Sequence, residues 1–138
     1  LKIYPEYLSA NQIKSGLVAE RYLVHKNLPQ LLSEFTTILM ARPQVEYVQQ
    51  FMAYLNGRED QQRLVDFYYK TGYELFSKQR GLHPMAITYL KLGEQIAPND
   101  PRILFGLGKA FYNGGDQVQG TKYLERAYAI NPALRDTD

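Results

Sequence analysis

Few residues in this sequence stand where side-chain chemistry would need them. The run Gly115-Asp-Gln-Val-Gln-Gly120-Thr121-Lys122 has the glycine spacing of a phosphate-binding loop. Such a loop needs Lys and then Ser or Thr after its second glycine, so that the ammonium reaches the phosphates and the hydroxyl the magnesium. Here Thr precedes Lys, and nucleotide binding is not expected. Gly106-Leu-Gly108 is part of a dinucleotide fingerprint, but no strand precedes it. His25 and His83 are the only histidines and have no ligand-type neighbours. Glu59-Asp60 and Asp66 suit a helix start and a solvated face better than an acid–base pair. Cysteine is absent, which removes thiol catalysis, disulfides and Cys-ligated metals. No catalytic residue, cofactor site or metal site is expected, and the chain does not read as an enzyme.

The remaining chemistry is that of binding. Twelve tyrosines and six phenylalanines stand without a tryptophan. A tyrosine buries its ring while keeping its hydroxyl wet, which suits both a core and a groove. Charge is evenly spread: residues 1–69 hold seven Lys/Arg and seven Asp/Glu, and the whole chain carries a net +2. The local excess of Lys70, Lys78, Arg80 and Lys91 over Glu74 is too thin for a nucleic-acid face. No nucleic-acid partner is expected.

The 138 residues, 45% hydrophobic and 22% charged, suffice for one domain with its own core. No stretch approaches the roughly 20 apolar residues that span a bilayer, and Lys2, Glu6, Lys14 and Glu20 break any secretory pattern within residues 1–20. The chain starts at Leu1 rather than Met and is expected to be a piece of a longer protein. A cytoplasmic location is the default; a signal removed upstream of Leu1 would place the protein in the periplasm or outside the cell.

Apolar residues recur every three or four positions almost throughout, which predicts helices over about 10–25, 29–41, 44–56, 60–79, 84–97, 101–113 and 117–131. The punctuation agrees. Ser9 with Gln12 and Asp116 with Gln119 have capping-box spacing. Asp100-Pro101 reads as an N-cap and a first helical residue. Pro98 and Pro132 follow apolar stripes, and Gly57, Gly81 and Gly114-Gly115 mark turns. All connections are short, so consecutive helices should be antiparallel neighbours.

The helix pairs repeat. Residues 101–134 carry Leu104, Leu107-Gly108, Phe111, Gly120, Leu124, Ala127 and Pro132. This spacing resembles the tetratricopeptide repeat, a helix–turn–helix unit of about 34 residues. Residues 67–100 match in their second half, through Gly81, Ala86, Leu90, Gly93 and Pro98. In their first half Glu74 and Ser77 depart, and Gly72, two positions earlier, is available as the small residue of a longer first helix. A third unit fits 12–45 through Val18-Ala19, Tyr22, Phe35, Ile38 and Pro43, with Leu31 large where a small residue is usual. The stretch 46–66 is left over, as an extra helix over Glu46–Asn56, a turn at Gly57–Glu59 and the start of a long helix.

The resemblance implies an all-α fold, a single domain of antiparallel helix pairs stacked as a right-handed α-superhelix. It also implies a protein–protein interaction module, a scaffold or adaptor, whose concave groove holds a peptide or protein segment. The alternative is a regulatory or substrate-presenting repeat region of a larger enzyme, such as a glycosyltransferase or methyltransferase. Carried onto this chain, the groove would comprise Arg102, Phe105, Lys109, Tyr112 and Asn113. The preceding unit would add Tyr68, Thr71, Leu75, Lys78 and Gln79. The two-carboxylate clamp of the chaperone-binding members is not expected, because Gly16, Glu20 and Gly106 occupy its positions. The segment 117–131 should expose an apolar edge through Val118, Tyr128 or Ile130, a route to self-association through an uncapped C-terminal end.

Overall fold

The computed structural model describes residues 9–137. Lys2 and Glu6, which break the apolar pattern near the start, lie outside the described residues. The described chain is helical and contains no strand. Its elements are α1 (Ala10–His25), α2 (Leu28–Ala41), α3 (Glu46–Leu55), α4 (Gln61–Tyr69), α5 (His83–Ile96), α6 (Pro101–Asn113) and α7 (Gln117–Ile130). α4 continues directly into a π-helical stretch, Lys70–Phe76, and a 3-10 turn, Pro132–Thr137, follows α7.

The helix starts are set by side chains that satisfy otherwise free backbone N–H groups. Ser9 accepts from the Gln12 N–H, Asn27 from Gln30, Asp60 from Gln62 and Arg63, Asp100 from Arg102, and Asp116 from Gln119. Pro29, Pro84 and Pro101 occupy first-turn positions, where proline costs no hydrogen bond. Gly57, Gly81 and Gly115 have positive φ in the turns, a conformation that a Cβ disfavours. At Ser9 the capping box is only half formed. The Gln12 side chain does not turn back; its Oε1 accepts the backbone N–H of Tyr47 at 2.8 Å.

The chain divides into two compact units, Leu1–Tyr54 and Leu55–Asp138. The boundary falls within the stretch 46–66 that departs from the repeat. In the first unit Val18, Ala19, Tyr22, Leu31, Phe35, Ile38 and Leu39 are buried on α1 and α2. The Phe51 ring of α3 gathers Tyr22, Phe35, Tyr47 and Tyr54 within 6.3 Å of its centroid. Leu31, large where the repeat has a small residue, is accommodated in this core.

In the second unit one packing arrangement occurs twice. A Cβ added to Gly108 on α6 would lie 2.6 Å from Leu124 Cγ and 3.0 Å from the Gly120 carbonyl oxygen on α7. A Cβ added to Gly72 would lie 2.5 Å from Leu90 Cγ and 3.1 Å from the Ala86 carbonyl oxygen on α5. Each first helix thus presses a bare Cα against a leucine and a carbonyl of its second helix. Glycine allows that approach because nothing projects from it. The partner residues Ala86 and Gly120, and Leu90 and Leu124, keep the expected spacing. The first helix of the earlier pair is longer, and its extra residues lie between Gly72 and Ala86, across the π-helical stretch and the turn after it. Gly93 is a further close approach, with Ile103 Cδ1 2.8 Å from its added Cβ, and Ala127 is fully buried.

Large aromatics fill the space between these approaches. Tyr68, Phe76 and Tyr89 are fully buried, with Phe76 and Tyr89 centroids 5.8 Å apart. Burial, with Tyr89 as a second cause, raises the Tyr68 phenol above its ordinary range, and burial does the same to Tyr89. Tyr68 donates to Asn56, whose amide in turn donates to the Leu92 carbonyl. The Tyr89 hydroxyl has no hydrogen-bond partner among the described residues.

Two expectations follow. Gly72→Ala and Gly108→Ala should each cost about 1–3 kcal/mol in urea unfolding, because a Cβ overpacks both contacts. A neutral result at either position would show that the two packings are not equivalent. Stability should also be lost in alkali. Tyr68 and Tyr89 hold their protons more tightly when folded, so their contribution is complete below the ordinary tyrosine range. It declines as the pH rises beyond about 10, by up to about 1.4 kcal/mol per pH unit for each group. Urea midpoints followed across pH 8–11, with phenolate absorbance, should show these two phenols ionising only as the chain unfolds.

Candidate functional site

The residues that the sequence places in a groove do not share one environment. Arg102, half-buried on the first turn of α6, bonds Asp66 of α4 at 2.9 Å and approaches Asp100 at 3.6 Å. Its guanidinium lies over the Tyr69 ring, 5.4 Å from the centroid. Burial weakens its hold on the proton, but the bonds to Asp66 and the charge of Asp100 outweigh this, so its pKa is raised. Lys109, two turns along α6, has its ammonium 5.7 Å from the Phe105 centroid. Lys78, beyond the π-helical stretch, is exposed and lies over Tyr73 at 5.2 Å.

Phe105 differs from expectation. It is 4% exposed and is a packing residue, not an open groove wall. The Tyr73 ring meets it edge-on at 5.5 Å, and Tyr128 of α7 lies at 6.4 Å. Tyr68 and Thr71 are buried too, at 0% and 3%. Tyr112 and Asn113 are exposed at the end of α6. Tyr112 leans towards α7, with its Cβ 2.7 Å from where a Gly120 Cβ would be. Among the described residues, no ring contact or side-chain hydrogen bond joins Tyr112 or Asn113 to Arg102, Phe105 and Lys109.

What the structure does bring together is a row of four rings. Tyr69 and Tyr73 stack at 5.5 Å, Tyr73 meets Phe105, and Phe105 meets Tyr128. A cation stands over each: Arg102 on Tyr69, Lys78 on Tyr73, Lys109 on Phe105, and Arg135 on Tyr128 at 4.6 Å. Tyr69, Tyr73, Tyr128 and Arg135 were absent from the sequence-derived set. The signal for two of them was Gly72. Aligning Gly72 with Gly108 pairs Asp66 with Arg102, Tyr69 with Phe105 and Tyr73 with Lys109. The shorter register selected Tyr68, Thr71 and Leu75 instead. Burial, followed by the neighbouring Tyr73 and Glu74, raises the Tyr69 phenol, with Arg102 opposing. Burial and Glu74 raise the Tyr73 phenol. Both are therefore neutral hydroxyls at physiological pH.

A second cluster joins α5 to α7. Lys91 Nζ donates to the Tyr123 hydroxyl at 2.6 Å and to Glu94 at 3.2 Å, above the stacked rings of Phe111 and Tyr123. Arg126 covers the Tyr123 ring and approaches Glu94 at 3.8 Å. Burial lowers the Lys91 pKa, but its bonds to Tyr123 and Glu94 reverse the effect and raise it. The charges here face each other, which makes the cluster a clamp between helices. In the first unit a cleft of about 400 Å³ opens between α1 and α2, with Leu17, Ile38 and Ala41 in its wall. Its Arg21 and Glu34 are bonded to each other at 2.7 Å. Val118 and Ile130 of α7 are 68% and 49% exposed, and Tyr128 is half-buried. Among the described residues no group of three or more His, Asp or Glu side chains converges as a metal site, and no helix is long and apolar enough to cross a membrane.

Compared with protein-family models, curated proteins and solved structures, the chain gives no match.

The burial difference along α6 sets an expectation. Phe105→Ala should cost about 3–5 kcal/mol in denaturant unfolding, as a buried aromatic truncation does. Arg102→Ala, which breaks a pair open to solvent, should cost no more than about 1 kcal/mol. The reverse order would mean that the ring row is held by its charges rather than by packing.

Proposed function

We propose that this chain is a tetratricopeptide-like interaction module that binds an extended segment of another protein on the face carrying the ring row. The observation that carries the reading is the row itself, Tyr69–Tyr73–Phe105–Tyr128 with a cation over each ring. Three of its rings, Tyr69, Tyr73 and Phe105, lie on successive first helices of a twice-repeated packing unit, where arrays of this family form their concave groove, and Tyr128 adds a ring from the second helix α7. The repeated approaches of Gly72 to Leu90 and of Gly108 to Leu124 support the family assignment. The family assignment carries with it right-handed stacking of the helix pairs within the second unit. Aromatic and arginine side chains are the residue types that dominate binding energy at interfaces.

The rings and their cations divide the work. Phe105 is the buried base of the face. Tyr69 and Tyr73, half-buried with neutral hydroxyls, offer apolar edges and hydrogen bonds together. Lys109 and Arg102 set polarity along α6.

The test is selection of displayed random peptides on the full chain, followed by mapping of the bound peptide through amide shifts. Binders should perturb Tyr69, Tyr73, Lys78 and Lys109. Tyr73→Ala should weaken them by at least about 2 kcal/mol if it is a hot spot. Binders that instead perturb Lys122, Glu125 and Arg126 would move the site to the opposite face, and Tyr73→Ala with unchanged binding would remove this one.

A further inference from the structure

The chemistry of the ring row narrows the occupant, an inference that rests on the proposed interaction face. In the second unit, each ring of the row has a cation over it. Tyr69 and Tyr73 also stack on one another, and Phe105 is enclosed between Tyr73 and Tyr128. A face meant to stack bases must leave π-surface open, because base–aromatic stacking supplies much of single-strand affinity. Here the ring surfaces are occupied by ammonium and guanidinium groups. What the row presents outward is positive charge held over a hydrophobic base.

Those charges differ in how far they are balanced. Arg102 is matched by Asp66 and Asp100, and Glu74 lies near Tyr69 and Tyr73. Lys78 and Arg135 are exposed, and among the described residues neither has a carboxylate within 4 Å. They belong to different elements, Lys78 to the turn after the π-helical stretch and Arg135 to the 3-10 turn after α7. They stand over the second and fourth rings of the row, with Phe105 between those two rings. Resting on a ring also lowers the entropy lost when either side chain engages a ligand.

We infer that the face takes an extended acidic segment whose carboxylates are spaced along the chain, with Lys78 and Arg135 as its principal charge partners. A single C-terminal carboxylate suits converging donors, whereas separated cations suit alternate side chains of an extended strand, which recur about every 6.6–6.8 Å on one side.

The test uses the full chain and a fluorescein-labelled, C-terminally amidated twelve-residue peptide with Glu at every second position among Ser and Ala. Its Gln counterpart, a Gln peptide with a free C-terminal carboxylate, and an oligothymidylate of the same length are the comparisons. The Glu peptide should bind measurably and the amidated Gln peptide at least about tenfold more weakly. K78Q/R135Q should reduce Glu-peptide affinity about three- to tenfold, in keeping with two exposed charge pairs, and flatten its salt dependence. Lys122→Gln on α7 should leave it unchanged. Equal binding of the Glu and Gln peptides, or unchanged binding by K78Q/R135Q, would overturn the inference. So would a preference for the free carboxylate, or for the oligothymidylate with a steep salt slope. Neutral peptides recovered by the display selection and mapped to Tyr69 and Tyr73 would leave the interaction face standing while the acidic occupant falls. Recovery of no peptide on this face would remove both.

Discussion

The close approach of helix backbones at Gly72 and Gly108 is the constraint on which the second unit depends. At each site a leucine and a carbonyl of the partner helix occupy the volume that a side chain would need. The separation of the two helices in each pair is thereby set by backbone. The buried aromatics then fill the space that this separation leaves, as in any close-packed interior. Phe76 against Tyr89 and Phe111 against Tyr123 are consequences of that spacing.

The same constraint positions the ring row. With Gly72 and Gly108 in equivalent places, Asp66 and Arg102 become neighbours on successive first helices, and so do Tyr73 and Phe105. An ion pair thus joins equivalent positions of successive first helices, and a ring contact joins positions one turn apart. Half-exposed ion pairs contribute little on their own. Here Asp66 and Asp100 both pair with the guanidinium that lies over Tyr69. The face is a product of packing first and of charge second.

Much of this was legible in the sequence because helix ends are written locally. Ser9, Asp100 and Asp116 cap as their types and spacing require, and the prolines and turn glycines stop and start helices where their backbone restrictions allow nothing else. Non-local choices were harder to read. Gln12 has the spacing of a reach-back cap, yet the Tyr47 N–H, distant in sequence, claims its side chain. Phe105 has the helical position of a groove residue, but Tyr73 and Tyr128 bury it, and no single-helix pattern contains both. Tyr69 and Tyr73 were displaced by a register that ignored the added residues of the first helix. Periodicity shows that a helix is amphipathic; it does not show where a wider turn shifts the face.

The exposed flank of α7 has a kinetic meaning. α5 and α6 each have helices packed against more than one side, whereas α7 leaves Val118 and Ile130 in solvent. In an assembly held by nearest-neighbour contacts, local opening is cheapest where a helix has the fewest neighbours. For the described residues, backbone amides of α7 should therefore exchange faster than those of α6. Arg135 rests on Tyr128 at the margin of that helix, so one end of the ring row sits on the helix with the exposed flank. A ligand spanning the row would register as slowed amide exchange in α7 well before any change in the buried core around Tyr68 and Tyr89.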